Sequence, residues 1–380
     1  MMPINDEAAP GGDASPDFIP GLVLSSAFYS EIVAPILAEA YPELRYSAAL
    51  IGYGSEVLGY DTARSTDHEW GPRLPLFVSD DDYTQHAEAI QTLLGQRLPR
   101  TFRGFSTHFG PPGPDGVQQP ASAAAGQIVH KVPVYSLRGL LTHLLGADPY
   151  GALTAVDWLL MPQQKLLEVT AGRVFHDGLG ELEPIRVKLT YFPPDVWRYL
   201  LAAQWTRISQ QEAFVGRAGE VGDDVGSALV AADLVRDLMD LCFLLERRYA
   251  PYSKWFGTAF AELACAPQLI PRFQEILRAA SWQERDAALA PAYELIANLY
   301  NERGITEPVD PHVRYYHGGR PFQVIHGERF AEAIVATIED AQVRAVVECA
   351  GLIGSVDQIS DNVDVVSNPE RVAKLRALYG

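Results

Sequence analysis

Two acids two residues apart, Asp67 and Glu69, follow a Gly54-Ser55 pair after eleven intervening residues, in the stretch YGSEVLGYDTARSTDHEWG over residues 53–71. In a strand, residues two apart project to the same face, so the spacing predicts both carboxylates at one point in space. Such a pair repels itself unless a divalent cation or a shared proton offsets the charge. Hard oxygen ligands favour Mg²⁺, which keeps several waters and bridges to substrate phosphates. Gly54 permits a turn whose N–H groups approach an anion, and Ser55 adds a hydroxyl donor. The chemistry this spells is a phosphate cradle facing a metal platform. The plainer alternative makes both acids surface groups at a strand start. His68, between them, would face the other way and is read as structural. Arg64, in the same loop, either contacts a triphosphate or is solvated. No Gly-Lys-Ser/Thr follows Gly54-Ser55, so it is not a P-loop.

The flanking segments must position these groups. YSAALIGYGS reads as a buried strand running into a turn, and EWGPRLPLFVS as a second strand with Leu74, Leu76 and Val78 alternating. Pro75 inside it predicts an edge strand or a bulge. The periodicity predicts a helix from Gly21 to about Glu43 and another in DDDYTQHAEAIQTLLGQRL, with Ser79 or Asp80 as N-cap. QIVHKVPVYSL reads as a third strand and RGLLTHLLG as a helix closed by Gly146. Beyond about residue 150 helical periodicity dominates, as in Leu201, Trp205, Ile208 and Glu212, or Leu234, Leu238, Leu241 and Leu245. The expectation is an α+β chain: a disordered tail over 1–20, a mixed-sheet α/β domain over 21–150, and a helical domain over 151–380.

A chain of 380 residues with 48% hydrophobic content has room for two cores. Its formal charge of −18 repels polyphosphate backbones, so nucleic acid is an unlikely partner and any phosphate site must be a local basic pocket. Cys242, Cys265 and Cys349 form no disulfide framework or zinc spacing, which fits a reducing cytoplasm. No signal peptide is evident, and no uninterrupted apolar run reaches the ~18 residues that a membrane span needs.

A strand, Gly-Ser, and then acid-x-acid entering the next strand, as in LIGYGSEVLGYDTARSTDHEWGPRLPLFV, resembles the nucleotidyltransferase superfamily, and within it the kanamycin nucleotidyltransferases. DHEWGPRL, QWTRISQQEAFVGRAGEVGD and RRYAPYSKWFGTAF are similar to a bacterial family of unknown function placed in that superfamily. The resemblance implies a nucleotidyltransferase-type α/β domain followed by an all-helical domain. It also implies Mg²⁺ on Asp67 and Glu69, and transfer of a nucleoside monophosphate from an NTP, most naturally ATP, to a hydroxyl of a small acceptor. It makes Glu212 in SQQEAFVGR the general base; an ordinary helix-surface acid is the alternative. Asp223 and Asp224 compete for that role, or cap a helix. The third acid that such proteins commonly carry is missing from QIVHKVPVYSL, which leaves it absent, replaced by His130, or drawn from the helical half.

Departing pyrophosphate needs positive charge. Arg247, Arg248 and Lys254, interleaved with aromatics, are candidates, with Lys254 the foremost; Arg217 and Arg236 are further ones. Either arginine of the 247–248 pair equally balances nearby acids. A homodimer would be unsurprising. A non-catalytic nucleotide-binding or regulatory protein on the same fold, a kinase-like phosphotransferase, and an unrelated helical interaction protein remain open.

Overall fold

The computed structural model describes residues 16–67, 69–114, 116–122 and 126–380. The chain is α+β and divides into two compact units. The first takes the residues up to Leu140 together with Glu168–Val187, and the second takes Leu141–Leu167 and Lys188–Gly380. One cut near residue 150 does not describe this. The chain leaves the first unit, returns to add a strand, and leaves again. Of the tail expected over 1–20, residues 1–15 lie outside the described residues. Residues 16–20 are held rather than disordered, since the Phe18 ring stacks on Trp70 with centroids 5.6 Å apart.

In the first unit, helix α1 (Gly21–Ala40) is long and apolar enough, by length and composition, to cross a membrane. Its Leu24, Phe28, Val33 and Leu37 lie in the core with Leu76, Ile90, Leu94 and Val134. The turn Tyr29–Val33 is wider than an α-turn, just ahead of Pro35. Proline has no N–H and its ring crowds the carbonyl four residues back, so a loosened turn is the accommodation. The first turn is closed from outside, Gly21 N–H donating to Asp61 Oδ2 at 2.7 Å.

Strands β1 (Ser47–Leu50), β2 (Leu76–Val78), β3 (Val134–Ser136) and β4 (Arg173–Asp177) form one mixed sheet in the order β3-β2-β1-β4. β1 runs antiparallel to β2 and β4, and β2 parallel to β3. Helix α2 (Asp80–Arg97) makes the crossover, its N-terminus capped by Ser79 Oγ accepting from Asp82 N–H at 3.1 Å. Two expectations change here. β2 is interior rather than an edge, and Pro75 precedes it, where its missing N–H does no harm and its carbonyl accepts from Ala49 N–H at 3.3 Å. Leu74 to Val78 are all buried, so both faces of β2 are covered and the alternation read from sequence does not separate an outer face.

In the second unit, helices α3 (Pro194–Gln211), α4 (Asp224–Leu245) and α5 (Trp282–Glu302) bury Leu201, Trp205, Ile208, Leu234, Leu238 and Leu241. The unit is not all-helical. Residues 314–324 form a hairpin of β5 (Arg314–His317) and β6 (Arg320–Val324). Phe322 and Val324 are its fully buried residues and pack with Ala213 and Trp282. Helix α6 (Glu328–Val335) follows and lies on α3, with Phe330 stacked on Trp205 at 4.2 Å between centroids.

The return of β4 depends on Asp177. Its carboxylate accepts Ser47 Oγ–H at 2.6 Å and the N–H groups of Gly180 and Glu183 at 3.1 and 3.0 Å, so it joins two strands to the next helix. Burial alone would push this carboxyl up; the hydrogen bonds from Ser47, Glu183, Leu182 and Gly180 outweigh it and hold the group below the usual range. A carboxyl depressed in the fold contributes stability above its unfolded value, and that stability is lost as pH falls through it and on to the folded value. Asp177→Asn is therefore expected to flatten the loss of stability below about pH 4. Urea midpoints measured against pH for both proteins check this, and parallel curves below that pH would rule it out.

Candidate active site

The turn after β1 runs through Gly52 and Gly54, whose φ of 96° and 124° lie in the left-handed region that favours glycine. A buried ion pair fixes it. Arg73 Nε donates to Glu56 Oε1 at 2.7 Å, Arg73 Nη2 donates to the Tyr53 carbonyl at 2.6 Å, and the guanidinium lies 4.8 Å from the Tyr53 ring centroid. Both charged side chains are nearly sealed from solvent. A Cβ on Gly54 would collide with Glu56 and Arg73, so the pair packs directly on the turn. Neither Glu56 nor Arg73 was singled out from sequence. The signal was an arginine in EWGPR, just past the acids.

Asp67 and Glu69 reach this region by another route than the one expected. Asp67 closes a 3₁₀ turn, Ala63–Asp67, and is exposed; β2 begins only at Leu76. Glu69 has a left-handed φ of 49°, and its N–H donates to Gln118 O at 3.0 Å. Strand alternation therefore does not place the two acids; His68, read as structural, lies outside the described residues. The structure does bring Glu69 near the glycine turn, close enough that its charge, after burial and against Arg73, pushes the Tyr53 hydroxyl up. Glu69 Oε1 also takes Lys131 Nζ at 3.0 Å, and that ammonium lies 5.7 Å from the Phe109 ring centroid. Arg64 is exposed on the 3₁₀ turn beside Asp67. Asp61, in the same loop, is structural, accepting from Gly21 N–H and from Trp70 Nε1 at 3.0 Å. A groove lined by Phe18, Ala63, Thr66, Trp70 and Phe105 runs alongside.

The donors assigned to Mg²⁺ are two carboxylates with a serine hydroxyl nearby in sequence, a hard-oxygen set of the right kind. Lys131 already offsets part of the charge on Glu69, so an ion there shares or displaces that ammonium. His130 is not a substitute third ligand. Its Nδ1 accepts from Val132 N–H at 3.1 Å and its Nε2 meets Gln91 O at 3.0 Å, which assigns the neutral tautomer; burial pushes its pKa down against the Gln91 bond.

The remaining candidates belong to the second unit. Glu212 is buried, and its Oε2 accepts from Ile325 and His326 N–H at 2.7 and 3.1 Å. Burial pushes its carboxyl up to about 8, against the pull of the Ile325 bond. It is neither the accessible base that the resemblance implies nor a surface acid. Asp223 is the N-cap of α4, accepting from Gly226 N–H at 2.8 Å, and Asp224 pairs with Arg285 at 2.7 Å. Arg217 is exposed near Phe214, with 5.6 Å between guanidinium and ring centroid. Lys254 is exposed with its ammonium 5.0 Å from the Trp255 ring centroid, and Arg247 lies 4.0 Å from that of Trp197. Arg248 pairs with Glu262 and Arg236 with Asp361.

Residues 158–256 match the family described as a domain of unknown function, DUF4037. No curated protein matches the chain. Among solved structures, the nucleotidyltransferase-like protein from Exiguobacterium sibiricum is similar at a TM-score of 0.32 and 10% identity, over 78% of this chain and 82% of that one.

Removing one member of a buried pair strands the other charge, at about 3–5 kcal/mol. Arg73→Ala is expected to lose stability of that order, and the double change Glu56→Gln with Arg73→Met much less. Urea unfolding reads both, and a loss under about 1 kcal/mol in the single variant would refute the clamp.

Proposed function

We propose that this chain is a Mg²⁺-dependent nucleotidyltransferase acting in the cytoplasm on a nucleoside triphosphate and a small hydroxylated acceptor. The observation that carries the reading is the clamped glycine turn after β1, with Glu69 near enough for its charge to act on Tyr53 of that turn. Asp67 and Glu69 would hold the metal, which when bound supplies charge to the triphosphate and polarises its α-phosphorus. Ser55 and the turn's N–H groups would receive phosphate oxygens. Lys131, already at Glu69, would follow the departing charge. The acceptor hydroxyl gives its proton to water as its oxygen bonds to the α-phosphorus, the bond from that phosphorus to the bridging oxygen breaks, and pyrophosphate leaves. Arg64 remains a candidate for phosphate; Arg217 and Lys254 belong to the second unit and are given no part in this site. Glu212 is not given the base role.

A regulatory nucleotide-binding protein is the second reading, favoured by the lack of an acid on β3 and by the engagement of Glu69 with Lys131. Pyrophosphate release from NTP and Mg²⁺ across a panel of hydroxylated acceptors separates the two. Asp67→Asn and Glu69→Gln are each expected to lower the rate about 10²-fold or more, with the unfolding midpoint little changed. Metal-dependent nucleotide binding without pyrophosphate release would instead support the regulatory reading, and variants at full rate would remove both acids from the site.

A further inference from the structure

The contact of α3 with α6 gathers three potential ligands that the proposed transfer does not use. Glu212 stands at the C-terminal end of α3, while His326 and Glu328 flank Gly327 at the start of α6. One ligand atom from each lies within 4.8 Å of the others. Gly327 makes this possible: a Cβ there would stand 2.6 Å from the Trp205 carbonyl oxygen, so only glycine lets the loop settle onto α3. His326 takes a left-handed φ of 56°, and its Nδ1 meets Glu328 Oε1 at 3.0 Å.

We propose that Glu212, His326 and Glu328 form a binding site for a divalent transition ion of the Zn²⁺ type. One imidazole with two carboxylates is a mixed nitrogen and oxygen donor set suited to such an ion. With the ion bound, both carboxylates are ionised beside a neutral imidazole, and the dication balances their two negative charges. The nearby Arg329 feels both carboxylates but pairs with neither, its Nη2 being turned to the Ile325 carbonyl at 2.6 Å, so it offsets only part of that charge. Glu212 Oε2 is occupied by backbone N–H groups, leaving Oε1 as the ligating oxygen. A second observation is independent of the three ligands. The hydroxyl of Tyr293, a fully buried residue, has no hydrogen-bond partner among the described residues and senses the charges of Glu212, Asp286 and Asp237. Three protein ligands leave the ion a position for water.

The test uses the full chain, freed of metal with a chelator and titrated with Co²⁺ while its visible absorption is followed, then competed with Zn²⁺. One Co²⁺ equivalent with an intensified visible band is expected, displaced by Zn²⁺, and Zn²⁺ should raise the unfolding temperature. His326→Ala and Glu328→Gln should each weaken binding at least about 10-fold, as losing one of three ligands does, and abolish the thermal shift. Two variants serve as controls expected to keep the band. His312→Ala removes an exposed histidine paired with Asp310, and Asp67→Asn removes the acid of the proposed transfer site, so failure of one site is told apart from failure of the other. No band, or a band that survives His326→Ala and Glu328→Gln, overturns the proposal.

Discussion

The candidate site of the first unit depends on one buried contact, Arg73 against Glu56. Neither charge is tolerated alone in an apolar interior, and their attraction offsets desolvation only where geometry is good and the remaining donors are satisfied. Here the guanidinium also holds the Tyr53 carbonyl and faces its ring. The pair therefore does more than neutralise itself. It fixes the backbone between β1 and the loop that carries the acids, and it fills the space that a side chain on Gly54 would need. A turn held this way has little freedom left to lose when an anion arrives, which is what a phosphate cradle requires.

The second unit shows the same economy with different groups. Gly327 permits α6 to meet α3 at backbone distance, and the Trp205–Phe330 stack fills the remaining space. Glu212 then takes the N–H groups that the start of α6 presents, as a side-chain cap would from within its own helix. Its neighbours Gly216 and Gly219 sit equally close to Phe322 and Trp282, so the hairpin and α5 are drawn to the same place.

What sequence could tell followed the range of the interaction. α2 was legible because its cap at Ser79, its acidic first turn and its apolar stripe are all local. The stripe of Leu234, Leu238 and Leu241 was legible for the same reason. β4 was not, because its partner β1 lies more than a hundred residues earlier and nothing between them marks the return. The acids at 67 and 69 were found by type and spacing, but the strand assigned to them was wrong: a 3₁₀ turn and a left-handed residue stand where alternation was assumed. Glu212 carried a signal that was read the wrong way. It continues the stripe of Leu201, Trp205 and Ile208, all fully buried, so its spacing already pointed it at the core.

The carboxylates thereby sort themselves by what holds them. Asp61, Asp177 and Glu212 are fastened to backbone N–H groups, and Glu56 to a sealed arginine; none of these partners can leave without breaking local structure. Glu69 is held by a side chain, a lysine that is itself partly exposed. An ammonium on a four-carbon stem exchanges one anion for another at small cost, unlike a forked guanidinium locked in place. On the proposed reading, a triphosphate would draw Lys131 to itself and leave Glu69 a ligand rather than half of a pair. The distinction between a carboxylate that builds the fold and one that can act lies in whether its partner is free to move, and at Glu69 it is.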